Sequence, residues 1–391
     1  MSPHRSDADP TLRTGRPQAR PESTNPLTTA SARLHYAARM EDAFDRQVAA
    51  TLRARGWTVR VEPYPGYGAP GWVRVLARTV LAAAEVPDTE LPGAGAATAG
   101  AWHGTAPTTV RGWRSFLTAS VAGARIEVTV GGTVHTVTAD RGGMVDEVLA
   151  ADLPPGWHDV QLRTQDGATS IAPIQVVGPG VRHGIVADID DTVMVTRLPR
   201  PLVAAWNSFV RHENAREPVP GMAALFARLR SDQPDMPVMY LSTGAWNAAP
   251  AIGRFLRRHR FPAGTLLLTD WGPTNTGWFR SGRRHKVTEL HRLFTEFPGI
   301  RWVLVGDDGQ HDPEIYAGAA THFPGRVRAI VIRQLTFAEH VLAHGAPTPN
   351  PGGPHATQAA RDEHVLVLQG PDGHELLDQV DAARLQLRGE G

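Results

Sequence analysis

The residues best able to do chemistry in this 391-residue chain lie in a short acidic turn, Gly184 to Met194, reading GIVADIDDTVM. An apolar run there ends in Asp188, Asp190 and Asp191, closed by Thr192. Carboxylates a few ångströms apart cannot all ionise cheaply, because each raises the proton affinity of the others. A cation should sit among them, and oxygen ligands point to Mg²⁺. The plainer reading is an Asp-rich turn after a core strand. Two later stretches carry related groups. Val238-Met-Tyr-Leu-Ser-Thr243 ends in Ser242 and Thr243, followed by Gly244 and a predicted helix. Hydroxyls beside free backbone N–H groups at a helix start can receive a phosphate oxygen, although an ordinary N-cap uses the same residue types. Trp302-Val-Leu-Val-Gly-Asp-Asp308 ends in two carboxylates, and Asp312 follows shortly.

Lys286 lies between these acidic stretches, at the head of a predicted helix. Of the 40 Lys and Arg residues it is the only Lys. Arg suits fixed bidentate pairs, whereas Lys is a compact point charge on a flexible stem. A chain that uses Arg everywhere else and Lys here implies that this position needs an ammonium group.

The elements that must position these residues follow from the hydrophobic pattern. From His183 onward buried-strand runs alternate with helical ones: His183–Asp190, Pro237–Thr243, Thr265–Asp270, Arg301–Asp307 and Val327–Arg333 against helices near 221–230, 246–259, 283–297 and 312–320. Such α/β alternation implies a parallel sheet covered by helices on both faces, with ligands bound beyond the carboxyl ends of the strands. The acidic and hydroxyl groups fall at those ends. Residues 57–178 read differently, as short strands broken by turns, with Gly131-Gly132 as a hairpin signal. A small all-β, sandwich-like domain is expected there. Trp102, Trp113 and Trp157 are read as its core aromatics rather than a binding face. The remaining divisions are a disordered tail over 1–30 and an amphipathic helix over 31–56. The α/β domain is bounded at 183–341, a linker runs over 342–360, and a closing strand and helix over 361–391 pack on that domain.

Composition narrows the classes. A net charge of +1 gives no bulk attraction to nucleic acid, so none is expected as a partner. The absence of cysteine removes disulfides, thiolate metal sites and cysteine nucleophiles. No apolar run reaches the roughly 20 residues of a membrane-spanning helix, and the N-terminus lacks a signal-peptide core, so a cytoplasmic location is expected.

Taken in order, Asp188-x-Asp190-x-Thr192, Ser242 after a strand, Lys286, and Gly306-Asp307-Asp308 with Asp312 resemble the haloacid dehalogenase-like (HAD) phosphohydrolase superfamily. The longer strings Leu241-Ser-Thr-Gly-Ala-Trp-Asn247, His285-Lys286 and Val303-Leu-Val-Gly-Asp-Asp-Gly-Gln-His-Asp-Pro-Glu-Ile-Tyr316 resemble the actin-patch-associated phosphatidate phosphatase family and its bacterial relatives. The resemblance covers roughly residues 183–334. Two departures stand out: Ser242-Thr-Gly-Ala-Trp246 replaces the Ser-Asn-Ser-Pro-Trp common in eukaryotic members, and Asp308 replaces a common Ser.

The resemblance implies roles. Asp188 is the nucleophile that forms an aspartyl-phosphate, and Asp190 is the acid that protonates the leaving oxygen and then activates water. Mg²⁺ is held by Asp188, the Asp190 backbone carbonyl and Asp307, with Asp308 or Asp312 directly or through water. Lys286, Ser242 and Thr243 bind the phosphoryl group, Thr192 supports the loop through its hydroxyl, and Asp191 is structural. The implied activity is Mg²⁺-dependent hydrolysis of a phosphomonoester, with a phosphatidate-like lipid as substrate. Phosphoproteins or small phosphate esters are the alternative under the same chemistry. A catalytically idle module whose β domain binds an unidentified partner is a third reading, against which the intact residue set argues. The insertions Thr196–Pro220 and Trp271–Arg284 are too short for a cap domain, so an open site suited to a large substrate is expected. Around it lie Arg197, Arg200, Trp206, Phe209, Arg211, Arg280, Arg283 and Arg284. Two readings stay open for this rim: a face resting on an anionic membrane surface, and a solvated helix face.

Overall fold

A computed structural model describes residues 50–83, 120–195, 216–269, 278–309, 311–344 and 353–383. The tail, most of the helix over 31–56, Trp102, Trp113, and the rim residues Arg197, Arg200, Trp206, Phe209 and Arg211 lie outside the described residues, as does the side chain of Arg280.

Among the described residues, seven strands form the first sheet: β1 (Trp57–Ala69), β2 (Gly71–Ala83), β3 (Arg125–Val130), β4 (Thr133–Thr138), β5 (Met144–Ala151), β6 (Gly156–Thr164) and β7 (Thr169–Val176). Their order is β4-β3-β6-β7-β1-β2-β5. All neighbours are antiparallel except β1 and β7. The alternation in β3, where Ile126, Val128 and Val130 are buried while Arg125 and Glu127 are exposed, is that of a sheet with one covered face. Buried residues from all seven strands, including Val61, Val75, Val128, Val137, Val145, Leu162 and Ile174, meet in one cluster, so the sheet curls around its own core. The sequence pattern does not reveal β1, because VEPYPGYGA carries two prolines and two glycines. The strand accommodates them at a register shift between Tyr64 and Tyr67, the irregularity at which proline is tolerated in a sheet.

Among the described residues the second sheet has six parallel strands: β8 (His183–Ala187), β9 (Val238–Ala245), β10 (Thr265–Thr269), β11 (Arg301–Asp307), β12 (Val327–Arg333) and β13 (Leu366–Gly370). Helices α1 (Met222–Arg230), α2 (Ala249–Arg258), α3 (Trp278–Glu296), α4 (Asp312–His322), α5 (Phe337–His344), α6 (Gly353–Asp362) and α7 (Gly373–Ala382) accompany it. Every residue of β8 is buried, as is β11 after Arg301. Such unbroken apolar runs are what strands covered on both faces require. The order β10-β9-β8-β11-β12-β13 runs outward in one direction from β8 and in the other from β11. The switch in strand order therefore falls between β8 and β11, where an open α/β sheet leaves a crevice beyond its carboxyl ends.

Three local boundaries differ from the sequence expectation. Helix α6 occupies Gly353–Asp362, starting inside the stretch 342–360 predicted as linker and running past its end. Gly353 and Pro354 read as breakers, but Pro is compatible with a first helical turn, and Thr357 and Ala360 give the helix a small buried face. Helix α3 starts at Trp278, so Lys286 sits more than two turns inside it rather than at its head. Gly282 disguised that start; it is needed because a Cβ there would come within 2.9 Å of Thr243 Cγ2 on β9. Strand β9 continues to Ala245, and a short 3-10 turn (Trp246–Ala248) precedes α2. Ser242 and Thr243 are thus inside a strand, not at a helix start.

The two sheets are packed together. Tyr64 stacks on Trp246 at 4.7 Å between ring centroids, and Tyr67 and Trp72 each lie 5.7 Å from Phe297. Tyr64, Tyr67 and Leu76 join the core of the parallel sheet rather than that of their own.

Candidate active site

The chain leaves β8 at Ala187, and the Asp188 N–H still donates to Val305 O of β11 at 2.9 Å. This bond ties the first residue of the acidic turn to the neighbouring strand across the switch point. The turn closes on itself through Val193 N–H and Met194 N–H, which both donate to Ile189 O at 3.0 and 3.1 Å, and through Asp191 N–H to Met194 O at 2.8 Å. Asp191 adopts a left-handed backbone with φ of 58°, a conformation that Asp tolerates better than most side chains. Its carbonyl accepts from Arg333 Nη1 at 2.7 Å. Arg333 is almost fully buried at the end of β12, and it also donates to Pro371 O at 3.1 Å and to Glu339 Oε1 at 2.5 Å. One guanidinium fork therefore joins the acidic turn, the turn after β13 and helix α5.

Across the crevice, Asp307 ends β11 and Asp312 opens α4. Gly309 N–H donates to Asp307 Oδ1 at 2.7 Å, turning the chain towards α4. Gly306 makes room for this arrangement: a Cβ there would lie 2.6 Å from Asp312 Oδ2. One carboxylate oxygen from each of Asp188, Asp307 and Asp312 comes within 4.8 Å of the others, and all three residues are buried. Lys286 reaches in from α3, its Nζ 2.7 Å from Asp188 Oδ1 and 2.5 Å from Asp312 Oδ1. Burial alone would depress the Lys286 ammonium, but Asp188 and Asp312 together hold its pKa above the ordinary value. Burial pushes the Asp188 carboxyl up to about 7 against the opposing pull of Lys286, with Asp312 and Asp190 adding to the rise.

These residues fit a divalent cation. Lys286 pairs with Asp188 and Asp312, and a third carboxylate, Asp307, is buried beside them. Asp188 Oδ2 and Asp312 Oδ2 are buried with no hydrogen-bond partner among the described residues, a costly arrangement without a compensating charge. The donor set is all oxygen, as hard cations prefer.

The remaining predicted residues divide. Ser242 is fully buried and donates to Asp190 Oδ2 at 3.1 Å, while its own oxygen accepts from Gly244 N–H at 3.0 Å. Thr243, partly buried, has a backbone carbonyl that accepts from the Thr269 hydroxyl at 3.0 Å. Asp308 is not part of the cup. Its Oδ1 accepts from Leu335 N–H at 2.8 Å and lies 3.5 Å from His340 Nε2, on the side of the β12–α5 connection. Successive strand residues point to opposite faces, so Asp307 and Asp308 cannot both face one centre without a kink. The carboxylate that joins Asp307 is Asp312. Thr192 is fully buried, but its hydroxyl has no hydrogen-bond partner among the described residues, so backbone bonds, not that hydroxyl, close the turn. The sequence motifs do not mark Arg333. The one signal available was its place at the end of a strand next to the acidic one, a position that strand-end reasoning could have flagged among many arginines. Arg216 was also missed. Burial lowers its pKa, partly offset by the nearby carboxylates of Asp190 and Asp191.

Comparison with known proteins places relatives on the same stretch. Residues 183–334 match the family model described as phosphatidate phosphatase APP1, catalytic domain, the same span on which the resemblance in the motifs rests. Phosphatidate phosphatase APP1 of Saccharomyces cerevisiae is 26% identical over 203 residues, covering 50% of this chain and 34% of the yeast protein. A Schizosaccharomyces pombe protein described only as uncharacterized is 26% identical over 160 residues, covering 39% of this chain and 26% of that protein. The matched stretch thus spans about a third or less of each of these longer relatives. Among solved structures, a carbohydrate acetylesterase from Xanthomonas citri aligns over 76% of this chain and 72% of that one at 13% identity, with a TM-score of 0.23.

Proposed function

We propose that this chain, whose residues 183–334 match a phosphatidate phosphatase catalytic domain, is a cation-dependent phosphomonoesterase of the haloacid dehalogenase-like type, acting on a phosphatidate-like lipid. The observation that carries the reading is the chain's single lysine. It is buried at 2.7 Å from Asp188, at the switch point of a parallel sheet, with a three-carboxylate cup around it.

In this reading an Asp188 carboxylate oxygen attacks phosphorus while the bond to the leaving alcohol breaks, giving an aspartyl-phosphate. Asp190 gives its proton to the leaving oxygen. It then takes a proton from a water that attacks the same phosphorus, and the bond to Asp188 breaks to release inorganic phosphate. Ser242, 3.1 Å from Asp190 Oδ2, orients that carboxyl. Lys286 binds the developing negative charge and keeps Asp188 aimed. Asp188, Asp307 and Asp312 would hold Mg²⁺, which when bound would keep the nucleophile ionised and take charge from the phosphoryl oxygens.

The test is turnover of phosphatidate in liposomes against a phosphopeptide panel and small phosphate esters, with Mg²⁺ and with chelator, on wild type and Asp188→Asn. Phosphatidate hydrolysis that needs Mg²⁺ and disappears in Asp188→Asn is the expected result. Preference for phosphopeptides moves the substrate class. Absence of any turnover leaves a binding module.

A further inference from the structure

Helix α3 carries Lys286 at one end of a longitudinal stripe. Glu289, Arg292 and Glu296 follow it at spacings of three, three and four residues, the spacing that stacks side chains on one helical face. The face that delivers the ammonium to Asp188 therefore continues into a face that grips the seven-stranded sheet. Arg74 of β2 sends Nη2 to Glu296 Oε1 at 2.5 Å and Nη1 to Asp146 of β5. Asp146 in turn accepts from Arg292 Nη1 at 3.1 Å, and Arg292 also pairs with Glu289. Tyr67 of β1, fully buried, donates its hydroxyl to Glu296 Oε2 at 2.6 Å, and its ring packs against Phe297.

The exchange is reciprocal. An acid on α3 takes donors from β1 and β2, and an acid on β5 takes a base from α3. Arg74 and Glu296 are each less than a fifth exposed, so neither can leave its partner without stranding a largely desolvated charge. Two fixed points on α3, Arg292 and Glu296, suffice to set both its rotation and its position along its axis.

We propose that the seven-stranded sheet is a brace for the active site, with Arg74, Tyr67 and Asp146 as positioning residues that fix α3 and thereby place Lys286 between Asp188 and Asp312. The inference rests on the phosphatase reading for its catalytic consequence, but its structural half stands apart. Arg74→Met removes both links of the fork. Tyr67→Phe removes one donor and leaves the ring, so it serves if Arg74→Met fails to fold. Misplacement of a catalytic group by about 1 Å can cost roughly 10²-fold in rate.

The single lysine supplies a probe. Incorporating ¹⁵Nζ-lysine into the full chain gives one side-chain ammonium resonance, that of Lys286. The experiment records this resonance together with kcat and KM on phosphatidate for wild type, Arg74→Met, Tyr67→Phe and Arg74→Lys. Arg228→Met serves as control, because it removes a more exposed ion pair with Asp381. The expected result is a displaced or broadened resonance in Arg74→Met and Tyr67→Phe, with kcat lowered about tenfold or more in Arg74→Met and KM little changed. Arg74→Lys should recover part of kcat, and the control should match wild type. A wild-type resonance in both Arg74→Met and Tyr67→Phe, or a wild-type kcat in both, overturns the proposal. If wild type turns over no phosphate ester, the proposed function fails instead, and the resonance alone decides whether the sheet positions Lys286.

Discussion

At the scale of single residues, the site is a charge-compensation problem. Among the described residues, Lys286 contacts the three-carboxylate cup directly, paired with Asp188 and Asp312. Lys286→Met should therefore destabilise the fold by about 3–5 kcal/mol, the usual cost of stranding a buried partner. Urea unfolding measures it, and added Mg²⁺ should restore part of the loss, since it supplies the missing charge. Lys286→Arg should leave the chain folded but lower kcat steeply, because a planar fork cannot stand in for a point charge; near-normal turnover would remove the argument from the lone lysine. Asp308→Ala should leave Mg²⁺ affinity, read by calorimetric titration, unchanged, whereas Asp312→Ala should abolish it. The types and order of Asp188, Asp190, Ser242, Lys286 and Asp307 were legible without coordinates. The choice between Asp308 and Asp312 was not, because it depends on which face of β11 each residue leaves, and strand ends kink. The silence of the Thr192 hydroxyl was equally hidden, since sequence names a donor but not its partner.

At the scale of elements, the connection between β12 and α5 is held from three sides. Thr336 and Glu339 form a reciprocal cap: Thr336 N–H donates to Glu339 Oε2 at 2.8 Å and Glu339 N–H to Thr336 Oγ1 at 3.3 Å. Glu339 also accepts from Arg333, the residue that fixes the Asp191 carbonyl. Burial alone would raise the Glu339 pKa, but the Thr336 N–H and the Arg333 guanidinium outweigh it and bring it below the ordinary value of 4.5. A carboxyl depressed in the folded state contributes stability above its unfolded pKa and loses it as pH falls through the folded one. The stability difference between wild type and Glu339→Gln, taken from urea midpoints, should therefore be full at neutral pH and shrink below about pH 4.5. A difference that stays constant down to pH 3 would contradict the assignment. The parallel strands were readable because each is a short unbroken apolar run, whereas β1 and α6 were not. Their prolines and glycines are tolerated by a register shift in one and by a first helical turn in the other.

At the scale of the whole molecule, an all-β sheet precedes an α/β unit that carries every residue of the acidic cup, and the sequence conveyed this change of texture near His183. What it did not convey is that Tyr64, Tyr67 and Leu76 belong to the core of the second sheet. Partner choice across an interface is set by three-dimensional packing, and an apolar residue in a strand looks the same whichever core receives it. Tyr67→Ala should accordingly loosen both sheets at once and lower the melting temperature as a single transition, followed by calorimetry; two separated transitions would mean that the sheets fold independently. The buried lysine has a further consequence, in proteolysis. A lysine-specific endoprotease has one internal cleavage point in these 391 residues, after Lys286. That residue is 2% exposed in the middle of a helix. Cleavage must wait for α3 to open, so the appearance of two fragments is a clock for the opening of the active site, and saturating Mg²⁺ should slow it.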